Sequence, residues 1–254
     1  MAVTEVNFAS DTLHHHATYW AVVPVENRAR PLRTLYLLHG IGGDETQWLF
    51  RSRIVSVAEA HGVAVVLPAG GHSFYVDRPS AFEWVGEYIG RELVAHSRSL
   101  FPLSTAREDT WIGGLSMGGY GAIRNGLKYH DTFGAVAALS SALVSYWASD
   151  APEEAEWPFA RRAYVTSVFG DPAGLVGSEN DVEALAERFR GSAGQAPRLY
   201  LTCGTEDSLV AVNRRYRDHL TKVGIDHTYV EGPGQHDWTF WDSAIVDALK
   251  WLEA

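Results

Sequence analysis

The chain has 254 residues, and 21 Lys and Arg against 31 Asp and Glu leave it a formal net charge of −10. A balance of that sign gives no footprint for nucleic acid or for an anionic membrane surface, since both need clustered cations to displace counterions. Hydrophobic residues make up 46% and charged ones 20%, the proportions of a globular chain able to build one large core, so one domain over residues 1–254 is expected.

Short apolar, β-branched runs alternate along the chain with stretches of helical period, the pattern of a mostly parallel sheet with helices on both faces. Residues 3–8 and 19–25 read as an antiparallel edge pair, followed by strands at 35–38, 63–67, 110–112, 135–139, 199–203 and 227–230. Between them, Ser80-Ala-Phe-Glu83 after Pro79 has the form of a capping box. It predicts a helix with Phe82, Val85, Ile89, Leu93 and His96 on one face, ended by Phe101-Pro102. Asp181 can cap a helix carrying Val182, Leu185, Ala186 and Phe189, and Val212, Tyr216, Leu220 and Val223 form a stripe closed by Gly224. The last helix is the most regular, with Trp241, Ala244, Ile245, Ala248, Leu249 and Leu252 on one side. Residues 142–180 fit neither pattern: they are rich in Pro, acidic and aromatic residues and too long for an ordinary loop. A small cap inserted over about 142–180 is expected, with a short helix around 159–168.

The sharpest chemical signal is Gly114-Leu-Ser116-Met-Gly118, with a strand before it and a helix after it. A serine flanked by glycines two positions either side, at a strand-to-helix turn, is a nucleophile elbow. A serine hydroxyl needs a base to take its proton and a carboxylate to orient that base. His236 lies in the loop after the last strand, whereas His39, His72 and His227 do not. Asp207 lies just past the 199–203 strand; its neighbour Glu206 and the Asp237 beside His236 compete, but adjacent residues of an extended loop point different ways. The order Ser116, Asp207, His236 is that of α/β-hydrolases. Two backbone N–H groups should meet the oxyanion: Met117 at the elbow, and Ile41, or failing it Gly40, in the loop His39-Gly-Ile-Gly-Gly43. His39 reads as a structural residue of that loop. Trp48, Phe74, Tyr75, Trp147, Trp157 and Trp238 all fall in loops expected at the C-terminal edge of the sheet, and predict an aromatic substrate pocket. Asp44, Asp77, Glu83 and Glu87 nearby would disfavour anionic substrates.

These stretches resemble the esterase D type of α/β-hydrolase, and within it the tributyrin, acetyl and cinnamoyl esterases. The resemblance rests on Leu37-Leu-His-Gly-Ile-Gly-Gly-Asp44 with Trp48, Gly71-His-Ser-Phe-Tyr-Val-Asp77, Gly114-Leu-Ser-Met-Gly-Gly-Tyr-Gly121, Phe169-Gly-Asp171, and Gly204-Thr-Glu-Asp207 with His236-Asp-Trp238. It implies a metal-independent carboxylesterase, with no cofactor, acting on short-acyl or aryl esters through Ser116, Asp207 and His236, and often a homo-oligomer. S-formylglutathione hydrolases of the same fold carry a Cys-containing motif after the first oxyanion-loop glycine and a Ser-Pro-Arg-Gly stretch, both absent here. An acyltransferase or thioesterase with the same triad is the alternative, and a non-catalytic binding protein on this scaffold would normally have lost part of the triad.

The remaining features are plainer. His14-His-His16 has no third ligand spaced to complete a metal site. Cys203, the lone cysteine, excludes an internal disulfide and lies inside an apolar strand. The start MAVTEVNFAS lacks a secretory signal, which makes a cytoplasmic location the expectation, and no apolar run approaches a membrane span.

Overall fold

The computed structural model describes residues 1–25, 31–191 and 195–254. Its centre is an eight-stranded sheet: β1 (Ala2–Ala9), β2 (His16–Val23), β3 (Thr34–Leu38), β4 (Ala64–Pro68), β5 (Thr110–Leu115), β6 (Ala135–Leu139), β7 (Arg198–Gly204) and β8 (His227–Gly232). The spatial order is β1-β2-β4-β3-β5-β6-β7-β8. The β1–β2 pair is antiparallel, β2 meets β4 antiparallel, and every pairing from β4 through β8 is parallel. This is the α/β-hydrolase arrangement.

The parallel strands are continuous apolar runs because both faces are covered. Every residue of β3, β4, β5 and β6 is buried. Successive side chains then serve opposite cores. Leu35 and Leu37, with Val65, Leu67 and Trp111, pack with α2 (Ile54–His61) and α9 (Trp238–Glu253). Tyr36, Leu38, Val66 and Ile112 pack with α4 (Leu93–Leu100), α5 (Met117–Lys128) and α8 (Val210–Val223). The buried face of α9 is the stripe the sequence predicts, Trp241 to Leu252, and α8 ends at Gly224, whose φ of 79° suits a left-handed cap. α7 (Val182–Glu187) is capped by Asp181, which accepts from the Glu183 N–H.

The capping box at Ser80 does not form. Pro79–Ala81 is one 3₁₀ turn, Phe82 takes a φ of 54° and is exposed, and Glu83–Trp84 pairs with Asp77–Arg78 as a two-residue ribbon. The Glu83 carboxylate goes to Arg78 instead of reaching back to a cap N–H. Helical structure starts later, at α3 (Val85–Glu87), and passes through a π-helical turn at Tyr88–Glu92 into α4. It ends where expected, at an extended Phe101.

Between β6 and α7 the chain runs through 3₁₀ turns at Val144–Tyr146, Ala148–Asp150 and Pro158–Ala160, then α6 (Arg162–Phe169) and a turn at Pro172–Gly174. This insertion carries a small core of its own: Ala148, Ala151, Val165 and Leu175, with Trp147 and Phe169 against it. Among the described residues no helix is long and apolar enough to cross a membrane.

Candidate active site

Ser116 is the single residue between β5 and α5, and it holds the strained conformation φ 55°, ψ −116°. Its N–H donates to Leu139 O (2.9 Å), and its carbonyl accepts from Tyr120 N–H (3.1 Å) and Ala142 N–H (3.0 Å), so the surrounding backbone enforces a conformation that costs about 1–3 kcal/mol. The flanking glycines are required by close approach. A Cβ on Gly118 would stand 2.5 Å from Leu38 O, and one on Gly114 would stand 2.5 Å from Gly118 O. The turn therefore packs directly onto the end of β3 and lifts the Ser116 side chain clear of the sheet.

His236 comes from the β8–α9 loop and Asp207 from the β7–α8 loop. His236 Nε2 lies 3.0 Å from Ser116 Oγ, and its Nδ1 lies 2.9 Å and 3.1 Å from the two Asp207 oxygens. The two loops are laced together: Thr205 N–H donates to Gly232 O (2.9 Å), Glu206 N–H to Gly234 O (3.0 Å), and Gly234 N–H to Glu206 Oε2 (2.6 Å). Contact is so close that a Cβ on Gly204 would meet Gly234 O at 2.2 Å. The competing carboxylates have other work, Glu206 tying the loops and Asp237 capping α9 at Phe240 N–H (3.1 Å). The Asp207 side chain is buried, which by itself pushes its carboxyl up. Hydrogen bonds from His236, the Leu209 N–H and the Ser140 hydroxyl outweigh that and hold it below the ordinary carboxylate value. Ser140 also accepts from Trp241 Nε1 (3.1 Å), and Trp241 sets its ring edge-on to the His236 imidazole, centroids 4.9 Å apart. The Cys203 thiol is pushed up to about 12 by burial with the Asp207 carboxylate nearby, so it stays protonated at neutral pH.

The loop after β3, residues 39–46, faces the elbow. Gly40 is so close that a Cβ there would lie 3.5 Å from Ser116 Cβ. His39 is buried, accepts at Nε2 from the Gly70 N–H (3.0 Å) and therefore donates from Nδ1 to Gly40 O (2.8 Å). Burial lowers its pKa despite the Gly40 carbonyl, which keeps the neutral tautomer. Its role is to fix the loop, as the sequence reading expects. Met117, fully buried, opens α5, so its N–H is one of the first amides of that helix.

Gly40, Ile41, Ser116 and His236 open onto a cavity of about 520 Å³. Phe74, Trp147 and Trp157 line it, together with Trp238, which is the first residue of α9 and not a loop residue. Trp48 and Tyr75 do not line it. Trp48 sits in α1 (Gln47–Arg51) with its indole turned into the core, where Nε1 donates to Leu38 O (3.1 Å). Tyr75 is fully buried and gives its hydroxyl to His39 O (2.9 Å), supporting the loop from beneath. The wall also contains Gln47, Ala142, Ala160, Leu209 and Trp241, which the sequence reading passed over. Only Trp241 carried a signal, as an aromatic in the first turn after the candidate base. Asp44, Asp77, Glu83 and Glu87 are absent from the lining: Asp44 bonds Thr46, Asp77 pairs with Lys128 and accepts from the Glu87 N–H, and Glu83 pairs with Arg78.

A hydroxyl, an imidazole and a buried carboxylate in file beside an apolar cavity can move a proton away from the hydroxyl as it attacks a carbonyl. Known proteins agree with that chemistry. The family model described as "Putative esterase" matches residues 10–252. An acetyl esterase of Caldicellulosiruptor saccharolyticus is 41% identical over 99% of this chain and 98% of its own. The substrate-bound structure of FphF, a fluorophosphonate-binding serine hydrolase of Staphylococcus aureus, superposes with a TM-score of 0.88 at 30% identity, over 99% of this chain and 98% of that one. An S-formylglutathione hydrolase of Staphylococcus aureus follows with a TM-score of 0.86, also at 30% identity, over 99% and 98%. The chain belongs to this esterase family, and it is a carboxylic ester hydrolase of the α/β-hydrolase fold.

Proposed function

We propose that the protein is a serine carboxylesterase that hydrolyses short-acyl or aryl esters, acetyl and butyryl with feruloyl and cinnamoyl among them, through an acyl-enzyme on Ser116. The observation that carries this reading is the file Ser116 Oγ, His236 Nε2 and Nδ1, Asp207, with contacts of 3.0 Å and 2.9 Å, opening onto the apolar cavity. Ser116 Oγ attacks the ester carbonyl while His236 Nε2 takes its proton. The oxyanion that forms accepts from the Met117 N–H and from Ile41, or in its place Gly40, in the facing loop. Collapse breaks the bond to the alkoxy oxygen, which receives the proton from His236 and leaves as the alcohol. Water then adds to the acyl-enzyme with His236 again as base, and the carboxylic acid departs with Ser116 restored. Asp207 holds the imidazole in the tautomer that has Nε2 free and stabilises its cation.

The acetyl esterase relative supports a small acyl group, and the aromatic wall supports flat or short acyl chains over long flexible ones. A thioester is the second reading, favoured by the S-formylglutathione hydrolase neighbour. Incubation of wild type and Ser116→Ala with p-nitrophenyl esters from acetate to decanoate tests the first. Wild type should turn over the shortest esters fastest, and Ser116→Ala should lose a factor of about 10³ or more. Equal background rates for both proteins on every ester would remove the reading, and a large preference for S-acyl over matched O-acyl substrates would favour the second.

A further inference from the structure

Among the described residues no Asp, Glu, Lys or Arg lines the cavity; besides Ser116, His236 and the indoles, its polar side chains are Gln47 and the exposed Ser208, and the rest of the wall is apolar. Gln47 is its one side-chain amide. It is half-buried and folded against the loop that faces the elbow, so close that a Cβ on Gly43 would come within 2.1 Å of its Oε1. Among the described residues that amide has no hydrogen-bond partner, nor is it sealed from open space. An amide carries two donors and a two-fold acceptor. Set in an apolar wall and unpartnered, it rewards a ligand group that hydrogen-bonds and penalises one that only packs.

Ring contacts decide which part of a substrate meets it. The departing oxygen must lie beside His236, which protonates it. The His236 ring packs on Trp241, Trp241 on Trp238 (5.5 Å) and Trp238 on Trp48 (5.1 Å), the residue after Gln47 in α1. This file of rings sets α1, whose Gln47 lines the cavity, against the first turn of α9 beside His236, whereas Trp147, Trp157 and Ala160 are supplied by the insertion. We infer that Gln47 is the specificity-determining residue of an alcohol-side subsite, which selects neutral esters whose leaving alcohol bears a further hydroxyl group. The inference rests on the serine-esterase reading and narrows its substrate class: the alcohol is a polyol or hydroxylated ring, its C–H face on Trp238 and its hydroxyl on the Gln47 amide.

Glycerol monoacetate and propyl acetate share the acyl group and the three-carbon skeleton and differ in the hydroxyls. Wild type should favour the glycerol ester in kcat/KM by about 2- to 10-fold, the net worth of a hydrogen bond to a half-buried amide that water can also reach. Gln47→Met keeps the length of the side chain and its packing on Gly43, and should bring that ratio close to one, chiefly by raising KM for the glycerol ester. Gln47→Glu retains an acceptor and should keep an intermediate ratio. A wild-type ratio near one, or a ratio unchanged in a Gln47→Met protein with native melting temperature, would overturn the subsite. Wild type inert on p-nitrophenyl acetate as well as on both acetates would be a different result, removing the esterase reading beneath it.

Discussion

Two regions build the cavity in different ways. The reacting groups stand on turns and loops at the C-terminal ends of β5, β7 and β8, where each strand is hydrogen-bonded to neighbours in register and the Asp207 and His236 loops are bonded to each other. The insertion that supplies Trp147, Trp157 and Ala160 is made of short turns and one eight-residue helix, with a four-residue core of its own and with Val144 and Val168 packed into the main core. Trp157, on its rim, is still 48% exposed. Position in the first region is set by the sheet; in the second it is set by side-chain packing, on its own four-residue core and on the main core, without a strand ladder. On the proposed function, the chemistry sits where the strand ladder fixes position, and the choice among acyl groups falls to the part held by side-chain packing.

The largest effect that could break this contrast concerns the orienting carboxylate. Asp207→Asn keeps the shape of the loop but turns the imidazole toward the wrong tautomer, and kcat/KM should fall by about 10⁴ with little change in KM. A fall of less than tenfold would mean that another group orients His236, and Glu206, already bonded to the His236 loop, would be the replacement to test. The next effect is in pH. The folded Asp207 carboxyl lies below its ordinary value, so its pairing contributes stability in full above about pH 3.9 and is lost only as pH falls through the lower folded value. Between about pH 4 and 7 the carboxylate therefore stays ionised, and it should add no further proton dependence to the acid limb of kcat/KM. A hundredfold fall per unit would show that the carboxylate titrates in the same range and is not held as the geometry says.

How far the sequence disclosed all this follows the same division. The eight strands, the α9 stripe and the order Ser116, Asp207, His236 were legible because buried parallel strands and an elbow leave little freedom in residue type: Gly114 and Gly118 have no room for a side chain. The Ser80 capping box misled because its two polar residues fit the pattern, while Pro79 and the left-handed Phe82 set a turn that ends before a helix can begin. Trp48 and Tyr75 misled for another reason. A loop's place at the sheet edge says that an aromatic is near the site, but not whether it turns toward the cavity or down to a carbonyl, and here both give their polar atoms to β3 and its loop, at Leu38 O and His39 O. Gln47, Ala142 and Ala160 were illegible, since nothing in their type distinguishes a cavity wall from a surface.

The smallest effect tests directly whether the insertion opens apart from the sheet. Val165 is fully buried among Ala148, Ala151 and Leu175 and touches none of the reacting groups. Val165→Ala removes two methyl groups from that core, worth about 1–2 kcal/mol where the gap does not close. If the four-residue core opens separately from the sheet, this loss is local. Amide exchange should quicken in α6 and the flanking 3₁₀ turns and stay unchanged in β5 and β6. KM for butyrate and longer esters should rise a few-fold, through a less settled Trp147 and Trp157, while kcat on acetate moves less. If exchange quickened equally in the strands and the insertion, the two regions would be one cooperative unit, and the selectivity of the wall would have to come from the same packing that holds the triad.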